Sequence, residues 1–276
     1  MAAPLNIVGA GHVGRTLGRL FAARGVFAVQ DVLTRGIDSA RAAAAFIGAG
    51  QAVDGAGALR PAAVWMLAVA DDRIGEVAAM LAASVPLQGA IVFHCSGAKA
   101  STELDAVRAA GAHVASVHPV RSFADPATVA AHFDGTFCGV EGDEAALALL
   151  LPAFAAIGAR PVRIDAAAKT VYHAASVFAS NYLVTVLDAA LRAYQAAGIP
   201  REVAMELARP LAGESLANVF RLGPETALSG PIARGDAATV ARQQAAVGAW
   251  DAPTGDLYDA LATATWDLAR RKHGRA

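Results

Sequence analysis

The sequence predicts an α/β fold: a doubly wound parallel sheet over residues 1–165, followed by an all-α domain over residues 166–276. Three observations carry that prediction. Short apolar runs alternate with alanine-rich helical patterns as far as Asp165, which is the signature of βαβ units. A glycine-rich turn stands between the first apolar run and the first helical pattern, and after Asp165 the strand signals stop. Expected strands are Leu5–Val8, Ala28–Leu33, Ala63–Ala70, Ala90–Phe93, His113–Val117, Thr136–Val140 and Arg160–Ile164. Several are apolar without alternation, as strands covered on both faces are. The expected C-terminal helices are Ala167–Ala197, Pro200–Leu222, Asp236–Ala249 and Thr254–Arg271. Gly198 closes the first of these, Pro200 suits the first turn of the second, and Asp236 can accept from the free N–H groups of the third.

A chain of 276 residues can bury a core without disulfides or metals, and 55% hydrophobic against 17% charged residues excludes disorder. A formal charge of −1 removes the broad basic footprint that nucleic-acid binding needs. Mean hydropathy is +0.42. Even so, the strongest apolar stretch we read, Ala145–Ala159, is short for a membrane span and is interrupted by Pro152 and Gly158. Cys95 and Cys138 lie in apolar strands, where thiols behave as small hydrophobes. We therefore expect a reducing cytoplasmic setting with no nucleic-acid or membrane partner.

Gly9-Ala10-Gly11-His12-Val13-Gly14 is a G-x-G-x-x-G motif between strand and helix. Gly9 permits the turn, Gly11 admits a pyrophosphate, Gly14 allows close packing, and the helix N-terminus favours the anion. At the end of the second strand, Thr34 and Arg35 stand where an NAD site usually carries an acid. A guanidinium suits a 2′-phosphate, which favours NADP; Asp31 would fill the NAD position only if the strand were shorter. Ala68, Val69 and Ala70, followed by Asp71-Asp72, should line the nicotinamide side. Two further strand tips, His94-Cys95-Ser96-Gly97 and His118-Pro119, should face the same crevice. The spacing of His94, Cys95, His113 and His118 is poor for a metal, and Cys-Ser-Gly lacks the flanking glycine of a nucleophile elbow.

In order, Gly9–Gly14, Thr34-Arg35, Ala68–Asp72, His94–Gly97, Ser116-Val117-His118-Pro119, Lys169–Ala175 running to Ala179–Tyr182, and Ala227–Asp236 span nearly the whole chain. Together they resemble the bacterial Rossmann-like oxidoreductases with a helical C-terminal domain of formerly unknown function. Those are relatives of ketopantoate reductase and pyrroline-5-carboxylate reductase. The resemblance implies a Rossmann domain, a C-terminal domain like that of 6-phosphogluconate dehydrogenase, and NADP-linked reduction of a small 2-oxo acid, with ketopantoate first. The His-Pro tip also resembles prephenate dehydrogenases, which implies substrate contacts at Ser96 and His118. Where ketopantoate reductases carry asparagine four residues after the catalytic lysine, this chain has His173, so Asn181 is the candidate for the amide's role.

Lys169, His173, Ser176 and Ser180 fall at i, i+4, i+7 and i+11, a polar stripe on an otherwise apolar helix. Lys169 and His173 are the expected catalytic pair: Lys169 donates a proton or holds the alkoxide while His173 orients substrate, or His173 itself delivers the proton. Arg234, just before a helix start, can pair with a substrate carboxylate or reach across a dimer interface. Alanine-rich helical faces suit a homodimer. Alternatives to the 2-oxo acid reading are a cyclic-imine reductase, an enzyme resembling prephenate dehydrogenase, and a non-catalytic NADP-binding redox sensor.

Overall fold

The computed structural model describes residues 1–274. Its chain divides into two compact units, Met1–Ala179 and Ser180–Ala276. In the first, the strands are β1 (Ala3–Val8), β2 (Phe27–Leu33), β3 (Gln51–Val53), β4 (Val64–Leu67), β5 (Ile91–His94), β6 (His113–Pro119), β7 (Phe137–Gly142) and β8 (Arg160–Arg163). The helices are α1 (His12–Ala23), α2 (Ile37–Ile47), α3 (Ile74–Ser84), α4 (Asp105–Ala109), α5 (Pro126–Ala131), α6 (Glu144–Ala156) and α7 (Lys169–Ala179). The sheet order is β3-β2-β1-β4-β5-β6-β7-β8. Strand order reverses between β1 and β4, and in such sheets the ligand crevice opens beyond the C-terminal ends at that point.

Strands β4 and β5 are buried throughout, and their side chains feed two cores on opposite faces. Val64 and Met66 join Ile7, Phe21, Phe93 and Phe154 on one face, whereas Trp65 and Leu67 join Leu81, Leu104 and Val107 on the other. That alternation is the two-residue period of a strand covered on both sides.

The structure corrects the expected sheet in three places. The short edge strand β3 has too few residues to register as an apolar run. β4 ends at Leu67 rather than Ala70, so Ala68–Ala70 leave the sheet and become loop. β7 runs antiparallel to β6, so the sheet is mixed. The link between β6 and β7 holds only the short helix α5 in place of the longer crossover helix usual for a parallel return.

The second unit contains α8 (Asn181–Ala196), α9 (Arg201–Leu222), α10 (Pro224–Ala227), α11 (Ala237–Trp250) and α12 (Ala252–Lys272). Asp236 caps α11 by accepting from the Thr239 N–H at 3.0 Å. The single helix expected over residues 167–197 is two helices broken at Ser180. The first of them, α7, belongs with the sheet because its Lys169 and Tyr172 reach β6 residues, so the division falls after Ala179 rather than after residue 165. A second correction concerns hydropathy. The stretch Ala166–Ala196, with a window of mean hydropathy 1.4, is long and apolar enough by length and composition to cross a membrane, contrary to the expectation that no segment qualifies.

Asn6 settles a detail that matters later. The register between β1 and β2 shifts between Leu5 and Ile7, where Asn6 faces both Gln30 and Asp31. Fully buried, Asn6 fills this bulge: its Oδ1 accepts from the Asp31 N–H at 3.1 Å and from the Gln30 amide at 3.3 Å, and its Nδ2 donates to the Arg60 carbonyl at 2.7 Å. Asn6→Ala removes three bonds and leaves buried groups unpaired, so we expect a loss of about 1 to 3 kcal/mol in denaturant melts with an unchanged slope.

Candidate active site

Among the residues of the glycine turn, Gly9 takes a left-handed φ of +82°, and a Cβ there would stand 2.6 Å from the Ala68 carbonyl oxygen. A Cβ on Gly14 would be 2.8 Å from the Gly9 carbonyl, whereas Gly11 faces open space. The turn is thus tight where chain meets chain and open where a ligand would approach. A cavity of about 270 Å³ begins there, lined by Gly11, His12, Val13, Ala68–Asp71, Cys95 and Ser96. The first N–H groups of α1 are the anion-binding ends of a helix. His12 is tied outward, its Nδ1 lying 2.5 Å from the Phe123 carbonyl oxygen.

Asp31 is not available at the tip of β2. Its carboxylate is fully buried and accepts from the Arg60 guanidinium at 2.5 Å and from the Arg60 backbone N–H at 2.8 Å. Thr34 donates its hydroxyl to the Gly36 carbonyl at 2.8 Å. Arg35 is exposed and has no hydrogen-bond or ion-pair partner among the described residues. These residues fit a nucleotide with a phosphate on its ribose better than one without.

On the other side of the crevice, the Ser96 hydroxyl donates to Asp71 at 2.7 Å and accepts from the N–H groups of Ala98 and Lys99. Its one proton is committed to the loop, although Ser96 still lines the cavity. Behind it, the Ser96 N–H donates to Nδ1 of His94 at 3.1 Å, which makes Nε2 the protonated nitrogen facing the Ala100 carbonyl. Burial brings the His94 imidazole down to about 4, so it is neutral at pH 7. Ser116 adjoins His94 and accepts from the Lys169 ammonium. Lys169 is 1% exposed and lies 3.6 Å from the buried Glu141, which also takes the Ser101 N–H and hydroxyl at 2.8 and 2.7 Å. Burial pushes Lys169 below the usual lysine range, and Glu141 draws it part of the way back.

Lys169 is thus buried and held by Ser116 and Glu141. Tyr172 and His173, one turn further along α7, are half-buried. The Tyr172 hydroxyl is 3.0 Å from Nδ1 of His118, and the His118 and His173 rings stand edge to face with centroids 5.5 Å apart. A Cβ on Gly97 would lie 2.2 Å from Nδ1 of His173 and 2.8 Å from Nε2 of His118, so those nitrogens are within about 5 Å of each other over a residue that must lack a side chain. Nδ1 of His173 is buried without a hydrogen-bond partner. Burial, reinforced by His173 and Lys169, brings His118 down to about 4.

Of the residues expected at the site, the structure brings together the glycine turn, Ala68–Ala70, Ser96, His118 and His173. Asn181, at the start of α8, and Arg234 belong to the second unit. Tyr172 and Ser116 were given no role of their own, and Glu141 was missed. Tyr172 was legible: Lys169, Tyr172, His173 and Ser176, at i, i+3, i+4 and i+7, are the sheltered face of α7, whereas Ser180 is exposed. Glu141 gave no signal, because a single acid in an apolar strand does not announce its partner.

Two imidazoles held neutral make stability depend on pH. Unfolded histidine titrates near 6.5 and these two near 4, so between those values the unfolded chain binds more protons. The melting temperature should therefore fall as pH drops from about 6.5 toward 4, and His94→Gln should flatten part of that slope. A melting temperature constant over this window would contradict the burial of both rings.

A family model for a Rossmann-like domain matches residues 3–119, and one described as a domain of unknown function (DUF2520) matches residues 136–265. No curated protein matches the chain in sequence. Among solved structures, TM1727 from Thermotoga maritima is 27% identical with a TM-score of 0.77, covering 98% of this chain and 99% of that one. BF3122 from Bacteroides fragilis, provisionally named an NADP oxidoreductase, is 20% identical with a TM-score of 0.78, covering 96% and 98%. A pyrroline-5-carboxylate reductase from Plasmodium falciparum, solved with NADP bound, is 13% identical with a TM-score of 0.59, covering 97% and 98%. At such identities the last two share the fold. The chain is thus similar to a Rossmann-like domain over its first part and to a DUF2520 domain over much of the remainder.

Proposed function

We propose that the protein is an NADP-dependent oxidoreductase that reduces the C=N bond of a small imine. The observation that carries this reading is the substrate end of the crevice: two histidines close over Gly97, His118 is held neutral, and Lys169 is buried against Ser116 and Glu141. A protonated imine brings its own proton and a positive charge, so it needs neutral hydrogen-bonding groups and no cation facing it. An alkoxide growing from a 2-oxo acid such as ketopantoate needs the opposite, a positioned donor or cation. The named activity of the Plasmodium neighbour, a pyrroline-5-carboxylate reductase, supports the same choice.

The helix N-terminus after Gly11 holds the pyrophosphate, Arg35 takes the 2′-phosphate, and Ala68–Ala70 with Ser96 wall the nicotinamide end. NADPH, when bound, supplies the hydride. Tyr172 fixes the His118 ring through Nδ1, and His118 and His173 offer ring nitrogens to the substrate without a fixed charge. Lys169 acts through Ser116 and Glu141 as a positioning residue. We assign the protein to the cytoplasm, where its free thiols Cys95 and Cys138 would stay reduced. We also propose a homodimer, supported by Val184, Leu211 and Phe220 of the second unit, which are 67%, 60% and 86% exposed.

NADPH oxidation followed by absorbance against cyclic imines and 2-oxo acids tests the reaction. Turnover with imines and not with ketopantoate is expected; turnover confined to 2-oxo acids overturns the imine reading, and cofactor binding without any turnover favours a sensor. Gly97→Ala should lower turnover at least tenfold while leaving cofactor affinity nearly unchanged, because the methyl group displaces both rings. Arg35→Ala should remove most of the preference for NADPH over NADH, a charge-assisted contact being worth roughly 1.5 to 3 kcal/mol. Equal affinity for the two cofactors in the unaltered protein would sink that assignment.

A further inference from the structure

We propose that the second unit holds its own pocket for a small planar carboxylate, with Arg234 as the anion-binding group and the indole of Trp266 as the wall. A cavity of about 680 Å³ lies between the short turn Ile232–Arg234 and the last turns of α12, lined by Arg234, Trp266, Arg270 and His273 with Ile232 and Ala269. That volume is within the range of small-molecule sites. No residue of the crevice in the first unit contributes to it, so this inference stands apart from the proposed reaction.

Cations near the end of a helix are ordinarily explained by the helix itself, whose last carbonyls favour positive charge. That account covers Arg270, Arg271 and Lys272. Arg270 also pairs with Asp267, Arg271 lies 3.6 Å from Glu225, and Lys272 donates to the Leu228 carbonyl at 2.7 Å. It does not cover Arg234, an exposed residue of the cavity lining whose side chain has no hydrogen bond or ion pair among the described residues. The carboxylate of Asp236, two residues on, caps α11 through the Thr239 N–H and also feels the Arg234 charge, so a ligand carboxylate would have to compete with it.

The wall that carries Arg234 is anchored. Lys272 reaches the Leu228 carbonyl from α12, and Nε2 of His273 lies 3.4 Å from the Ala233 carbonyl oxygen. Gly235 turns the chain with φ +75° immediately after Arg234. A guanidinium and an indole lining one cavity, with Ile232 and Ala269 adding apolar surface, suit a carboxylate on a flat body: the fork binds the two oxygens, and the ring and methyl groups cover the remainder. Bare phosphate would meet the fork and leave the apolar surface unused.

The test uses the full chain with indole-3-acetate and benzoate as probes and inorganic phosphate as the bare-anion arm, read by titration calorimetry for all three and by tryptophan fluorescence for benzoate. Saturable binding of the aromatic carboxylates is expected, weakened at least tenfold by Arg234→Ala and by a smaller factor in Arg234→Lys, which keeps the charge and loses the fork. Trp266→Phe should remove the fluorescence response while calorimetric binding persists, and unchanged melting temperatures would show that the variants fold. Absence of saturable binding at millimolar probe overturns the proposal, as do binding indifferent to Arg234 and phosphate binding as tightly as the aromatic acids. Because nothing here depends on turnover, failure of this pocket and failure of the imine reaction are separate results.

Discussion

Lys169 and Glu141 meet where water does not reach, and the substrate side of the sheet is arranged around that meeting. A lone buried charge is costly, and removing one partner of a buried pair typically costs about 3 to 5 kcal/mol. The fold therefore has to bring α7 onto β6 and β7 at one register, since only there does the ammonium find Ser116 and the carboxylate. Once the first turn of α7 is fixed, the next positions on that face follow from helix geometry: Tyr172 arrives at His118, and His173 arrives above Gly97. The pair thus positions groups it does not touch.

The antiparallel turn of β7 serves the same end. In the register of this pair Glu141 stands opposite Ser116, and Gly139 opposite His118. Had β7 run parallel to β6, it would have entered from the opposite end of the sheet, and Glu141 would not have faced Ser116 in this ladder. Ser101 then closes the shell by satisfying both carboxylate oxygens. Lys169 thus has partners of its own within the fold, a hydroxyl and a carboxylate.

Periodicity and glycine chemistry made most of the architecture legible. The glycine turn, the order of strands and helices, and the change to an all-helical second half are local signals, each contained within a dozen residues. What could not be read was pairing across the chain. Asp31 with Arg60, Glu141 with Lys169 and Tyr172 with His118 join residues separated by tens of positions, and a charged residue in a strand looks the same whether or not its partner exists. The break at Ser180 had no signal either, since neither glycine nor proline marks it. The polar stripe on α7 was visible at the right spacing, but spacing says nothing of depth, and depth is what separates the buried Lys169 from the half-buried Tyr172 and His173.

The cofactor end shows how one buried amide can decide what a motif means. An acid near the end of β2 would normally suggest a ribose diol, and Asp31 is such an acid. The bulge at Asn6 places one more residue on β2 than on β1, and the backbone of the segment before β4 runs close enough for Arg60 to bind the Asp31 carboxylate through both its side chain and its N–H. The acid is thereby taken out of the crevice two residues short of the strand's end, and the next charged side chain, Arg35, is left exposed at the tip. Preference for a phosphorylated ribose, as proposed here, then depends on Asn6 as much as on Arg35: Asn6 gives β2 the geometry that commits Asp31, and Arg35 acts on what that commitment leaves open.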